Sequence, residues 1–189
     1  GTPPEGLLET VAAIRKQSDV PIVLYIYFNL MHRIGLKEFI HSAAAAGVDG
    51  LLALDLPPEE ADEYEQLMKE ASLCSIWLIA PTTPEERIAA IAARGSGFIY
   101  YISREGVTGM RQDVVSSLDE RIAAIRRHTN LPIAVGFGIS NADQVRQVAA
   151  DCDAVVVGSA IVNQIAEHGK APDLPERVGG FVRELTEAL

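Results

Sequence analysis

Ile133-Ala134-Val135-Gly136-Phe137-Gly138-Ile139-Ser140 is followed by a helical pattern and then by Ala154-Val155-Val156-Val157-Gly158-Ser159-Ala160-Ile161-Val162. Two apolar, β-branched runs each end in a glycine-bearing turn, and a helix opens directly after each turn. A helix N-terminus presents unpaired N–H groups and the positive end of the helix dipole, a combination that favours an anion, phosphate above all. Glycine lets an anion approach the backbone because it has no Cβ. One such turn says little. Two on consecutive strands, separated by one short helix, match the phosphate-binding loops after the last two strands of a (β/α)8 barrel.

The same strand–helix alternation runs outward from this stretch. Upstream, Pro3 or Pro4 opens a helix whose stripe is Leu7, Leu8, Val11, Ala12 and Ile14. Pro21 to Tyr27 reads as a buried strand, Asn29 to Ile34 as a loop, and Leu36 to Ala46 as a helix stopped by Gly47. Gly50 to Leu54 is the next strand, Asp55-Leu56-Pro57 a turn, and Pro58 to Ala71 an acidic helix with a solvated face. Ser75 to Ala80 is a strand, and Pro81-Thr82-Thr83-Pro84 leads into a helix ending at Ala93. Gly97 to Ile102 is a strand, Ser103 to Ser116 a long polar loop, and Ser117 to His128 a helix. Asn141 to Ala150 is the helix between the two quoted runs; Ser159 to His168 and Leu174 to Ala188 close the chain. Six continuously apolar strands, each followed by a helix, predict a parallel α/β fold. A full barrel takes eight units and roughly 250 residues. The expected architecture is therefore an incomplete TIM (β/α)8 barrel, strands three to eight, over residues 1–189 as one domain. An open doubly wound sheet is the structural alternative.

Composition narrows the function classes. Sixteen Lys and Arg against 26 Asp and Glu give a net charge of −10, which argues against a general binder of nucleic acid or anionic membrane. The two cysteines, Cys74 and Cys152, have no metal or redox spacing and read as buried small apolar residues. His32, His41, His128 and His168 show no metal-ligand spacing. No apolar run is long enough to span a bilayer and no signal peptide is visible, so a cytoplasmic location is expected.

Five segments carry a resemblance: YIYFN (25–29), AGVDGLLALDLPPEE (46–60), GFIYYISREGVTG (97–109), VGFGIS (135–140) and VVVGSAIV (155–162). In order and spacing they resemble the tryptophan synthase α subunit over nearly the whole chain. The resemblance implies a lyase of tryptophan and aromatic amino-acid biosynthesis, which cleaves indole-3-glycerol phosphate by a retro-aldol reaction into indole and glyceraldehyde 3-phosphate. It also implies an α2β2 heterotetramer, with no cofactor in this chain, since pyridoxal phosphate belongs to the β subunit.

By that resemblance, Gly109, Gly138, Gly158 and Ser159 bind the substrate phosphate, while Tyr100 and Phe137 line the pocket and Thr108 lies on a mobile loop over it. Leu24, Tyr27 and Leu52 are candidates from the earlier strands, and Asn29, Asp55 and Pro57 match the face toward the β subunit. Tyr100 and Tyr101 alternate faces, so only one enters the barrel. Arg104 to Arg111, with Gly106 and Gly109, reads as a lid.

No catalytic residue is assigned, because the family's catalytic glutamate and aspartate have no counterpart in these 189 residues. The resemblance implies that both belong upstream of Gly1, which falls just after the family's catalytic loop. Retro-aldol cleavage needs a proton delivered to indole C3 and another removed from the side-chain hydroxyl. This chain by itself is therefore expected to be inactive. Two alternatives stand beside this reading. One is a non-catalytic short form that binds a phosphate ligand or the β subunit. The other is a different phosphate-binding barrel enzyme, against which the YISREGVTG and LDLPPEE runs speak. None of the six strands carries a lysine for Schiff-base aldol chemistry.

Overall fold

A computed structural model describes residues 4–103, 112–136 and 138–189. The chain divides into two compact units, residues 1–78 with 90–98, and residues 79–89 with 99–189. Each is built on parallel strands with helical connections, as continuously apolar strands require.

In the first unit, α1 (Pro4–Arg15) precedes β1 (Val23–Ile26), and α2 (Phe28–Ile34) and α3 (Leu36–Ala46) follow it. Next come β2 (Gly50–Ala53), a 3-10 turn (Pro58–Glu60), α4 (Asp62–Glu70) and β3 (Cys74–Ile79). β2 lies between β1 and β3, with Leu24 opposite Leu51, Tyr25 opposite Leu52, and Leu52 opposite Ile76. Met31, Phe39, Ile40, Leu51, Tyr64 and Met68 form the buried centre of the unit. The Tyr64 hydroxyl donates to the Leu51 carbonyl at 3.2 Å, and burial pushes its phenol pKa up.

The division between the units falls within α5 (Glu85–Arg94), and the second unit continues with β4 (Ile99–Ile102), α6 (Gln112–Arg126), β5 (Ile133–Gly136) and α7 (Ala142–Ala149). β6 (Ala154–Val156), α8 (Ser159–His168) and α9 (Leu174–Thr186) complete it. β5 lies between β4 and β6 and is buried throughout. Ile99, Tyr101, Ile122, Ile125, Ile133 and Val145 are among its buried side chains.

One device recurs in both units. Asp49, just before β2, accepts the Ile22 N–H at 2.7 Å and pairs with Arg15 at the end of α1. Asp153, just before β6, accepts the Ile133 N–H at 2.8 Å and pairs with Arg126 at the end of α6 at 3.0 Å. In each case one carboxylate ties a helix C-terminus to the start of the strand that follows it. Charge-assisted bonds of this kind are the stronger ones.

Five sequence expectations are corrected. Residues 29–34 form part of α2 rather than a loop. Residues 112–116, expected as loop, already belong to α6. The helix expected from Pro58 to Ala71 is broken at Ala61, where a 3-10 turn gives way to α4. Along that acidic run Glu65 is not simply solvated: it is half-buried and accepts Arg94 at 2.9 Å. Cys74 and Cys152 are half-buried rather than buried, and the Cys152 thiol donates to the carbonyls of Val148 and Ala154 at 3.2 Å. Among the described residues, no helix is long and apolar enough to cross a membrane.

Candidate functional site

The parallel register of β5 and β6 sets the phosphate end. Gly136 lies opposite Val156, so Gly138 and Gly158 each stand two residues beyond a paired position, at the same end of adjacent strands. Gly138 has φ +64°, and the space a side chain would fill there holds no atom within 4 Å. Gly158 likewise borders open space and is the N-cap of α8, an end that no side chain caps. Ser159, the first residue of α8, is exposed. This end therefore combines a dipole, unclaimed side-chain room and backbone donors, which is what an anion needs.

The neighbouring helix differs. α7 is capped by Asn141, whose side-chain oxygen accepts the Gln144 N–H at 3.0 Å. Gln144 in turn accepts both the amide and the hydroxyl of Ser140, at 2.7 and 3.1 Å. The two glycine turns, alike in sequence, thus differ in what their donors already hold.

Tyr100 is half-buried and Tyr101 is buried, so the strand directs them to opposite faces. A Cβ on Gly136 would lie 2.9 Å from Tyr100 ring carbons and closer still to its hydroxyl. Gly136, which the sequence groups with the phosphate turn, is thus the residue that makes room for Tyr100. Gly109, Thr108 and Phe137, with the lid expected at 104–111, lie outside the described residues. Residues 1–3 lie outside them as well.

In the first unit, the register separates the three pocket candidates. Leu52 pairs with Tyr25, and paired residues of a parallel sheet share a face, as do residues two apart on one strand. Tyr25 and Leu52 therefore belong to one face, and Tyr27 follows the strand as the N-cap of α2. Leu24 pairs with Leu51 on the other face and is buried there. Tyr25 is 57% exposed beside Tyr27 at 61%, whereas Leu24 and Leu52 are both buried.

Asp55 stands at the head of α2. Its carboxylate accepts the N–H of Phe28 and, at 3.5 Å, that of Asn29. The N-cap residue Tyr27 supplies no side-chain bond and the first turn of α2 carries no acid, so Asp55 takes both roles from 27 residues away. Tyr27, Asn29, Leu30, Arg33 and Asp55 line a hollow of about 320 Å³ beside it. Pro57 is half-buried and precedes the 3-10 turn.

Comparison with known proteins is consistent along the whole chain. Residues 1–187 match the family model described as tryptophan synthase alpha chain. The tryptophan synthase alpha chain of Opitutus terrae is 55% identical over 163 residues, 86% of this chain and 61% of that protein. The chain thus spans about three fifths of that relative's length. The tryptophan synthase alpha chain of Legionella pneumophila superposes with a TM-score of 0.88 at 33% identity, covering 99% of this chain and 70% of the other. A structure of the tryptophan synthase α2β2 complex from Pyrococcus furiosus matches equally well, with a TM-score of 0.88, 34% identity, and coverage of 99% of this chain and 75% of the other. The fold is accordingly an incomplete (β/α)8 barrel, and the chain belongs to the tryptophan synthase alpha chain family.

Proposed function

We propose that the protein to which these residues belong is the α component of a tryptophan synthase. It is a lyase that splits indole-3-glycerol phosphate into indole and glyceraldehyde 3-phosphate. The observation that carries the reading is the pair of glycine turns at one end of β5 and β6, with the uncapped start of α8 beside them. In this reading Gly138, Gly158 and Ser159 hold the phosphate through backbone donors, together with Gly109. Tyr100 and Phe137 bound the indole side and Thr108 closes over it.

Fixing the phosphate at a preformed dipole places the glycerol carbon and indole C3 in one position, so that binding energy is spent on orientation. The proton transfers need a carboxylic acid and a carboxylate, and no acid in these 189 residues matches the family's pair. The α2β2 complex named for the Pyrococcus furiosus neighbour supports a β-subunit partner, and the family resemblance puts Asn29, Asp55 and Pro57 on the face toward it.

Indole release from indole-3-glycerol phosphate, assayed with and without a β subunit, tests this. The 189 residues alone are expected to release none, and adding a segment that carries the glutamate and aspartate is expected to restore it. Turnover by the 189 residues alone would assign the proton work to another acid, Asp55 first, and overturn this account.

A further inference from the structure

We propose that Gln144 is a positioning residue for the phosphate turn, an inference that rests on the phosphate reading above. In an ordinary capping box the third helical residue returns its side chain to the N-cap amide. Here Asn141 is the N-cap of α7 and Gln144 its third residue, yet Gln144 Oε1 reaches one residue further back. It accepts the Ser140 N–H at 2.7 Å and the Ser140 hydroxyl at 3.1 Å. One oxygen thus holds both donors of Ser140.

The consequence lies in what surrounds Gly138. On one side, Gly136 is fixed by its pairing with Val156. On the other, Ile139 is buried at 2% exposure and Ser140 is held by Gln144. Gly138 stands between these two anchors at φ +64°, with open space beside it. Release of Ser140 frees one anchor and lets the Gly138 amide rotate out of the orientation that the two anchors fix. The same bonds commit the Ser140 donors, so they are not available to an anion. The phosphate is left to Gly138 and to α8. Gln144 suits the task because it is neutral: it supplies an acceptor without placing negative charge at an anion site.

The test uses the 189-residue chain with glycerol 3-phosphate as a small phosphate monoester and glycerol as the control, read by titration of amide NMR shifts. Gln144→Met keeps the length of the side chain and removes the acceptor. Asn141→Ala removes the cap of the same helix while leaving Ser140 bound, and so reports general loosening of α7. The expected result is binding of glycerol 3-phosphate but not glycerol by the wild type. Gln144→Met is expected to weaken it about five- to tenfold, as loss of one or two neutral hydrogen bonds implies, and to speed hydrogen exchange at Ser140. Asn141→Ala is expected to lower Tm with affinity held within about twofold. Wild-type binding with Gln144→Met unchanged overturns the positioning role and leaves the phosphate reading intact. Equal weakening by both variants also overturns it, in favour of a stability effect. No wild-type binding at all sinks the phosphate reading, and the inference with it.

Discussion

At Gly47 the chain leaves α3 with φ +94° and ψ +26°, the left-handed conformation that closes helices. Its carbonyl accepts Arg15 Nε at 2.7 Å, and a Cβ built on it would lie 2.5 Å from Arg15 Cγ. Two constraints therefore meet on one residue, a backbone that disfavours side chains and an arginine stem laid against it. Arg15 also binds the carbonyls of Ser18 and Val20 and the carboxylate of Asp49, so displacing it loosens the whole start of β1. Gly47→Ala is expected to cost about 2–3 kcal/mol, the sum of left-handed strain and a disturbed charged hydrogen bond. A urea titration should show a lower midpoint with the slope unchanged. An unchanged midpoint would show that neither the left-handed backbone nor Arg15 constrains this position. The glycine stop at position 47 is legible in the sequence because chirality alone demands it. The arginine against it is not, since it comes from 32 residues upstream.

Among the elements, α2 is the one that sequence reading missed. Its residues 28–34 carry no cap of their own and no acid in the first turn, and a helix this short does not form unaided. Asp55 provides the missing acceptor and charge from the turn after β2, and Phe28 sets its ring edge-on to Tyr64 at 6.5 Å. Asp55→Ala should fray α2 and cost about 1–2 kcal/mol, as for other lost caps. Native-state hydrogen exchange at Phe28 and Asn29 should quicken by about tenfold. Asp55→Asn, which keeps one accepting oxygen, should lose less. Equal loss in both variants would mean that the charge rather than the bond matters. By contrast, α3 and α8 end where periodicity and glycine say they do, because their boundaries are written in local chemistry.

For the whole molecule, charge and edges oppose one another. β6 is last in the strand order and pairs with β5 alone among the described residues, with Ala154 exposed upon it. Val162 and Ile165 on α8 are 61% and 45% exposed. An open strand edge beside exposed apolar side chains invites association, and a net charge of −10 resists it. Sedimentation of the 189-residue chain should therefore show self-association that grows from about pH 7 toward the pI near 4.8, as repulsion falls. Ala154→Lys should reduce it by charging the edge. A monodisperse species at both pH values would refute this.

Acid unfolding is separable from that effect. Hydrogen bonds from Arg127 and His128 hold the Glu85 carboxyl below the usual range. The stability this pair adds is present above the unfolded glutamate pKa and is lost only as pH falls through the lowered folded value. The α5–α6 tie is thus still present over the range in which repulsion declines.

The sequence by itself determined the alternation of strands and helices, the two glycine turns and the family, because apolar periodicity, glycine stops and motif spacing are local properties of the chain. It placed Gly138, Gly158 and Ser159 at strand ends, and β5–β6 pairing put those ends side by side. Only the tertiary structure decided that Leu24 turns away from Leu52 while Tyr25 joins it, since sheet register is a relation between strands. It likewise decided that Asp55 completes α2, that Gly136 makes room for Tyr100 and that Gln144 holds Ser140. Register, distant caps and close approach arise between segments, and no single segment encodes its partner.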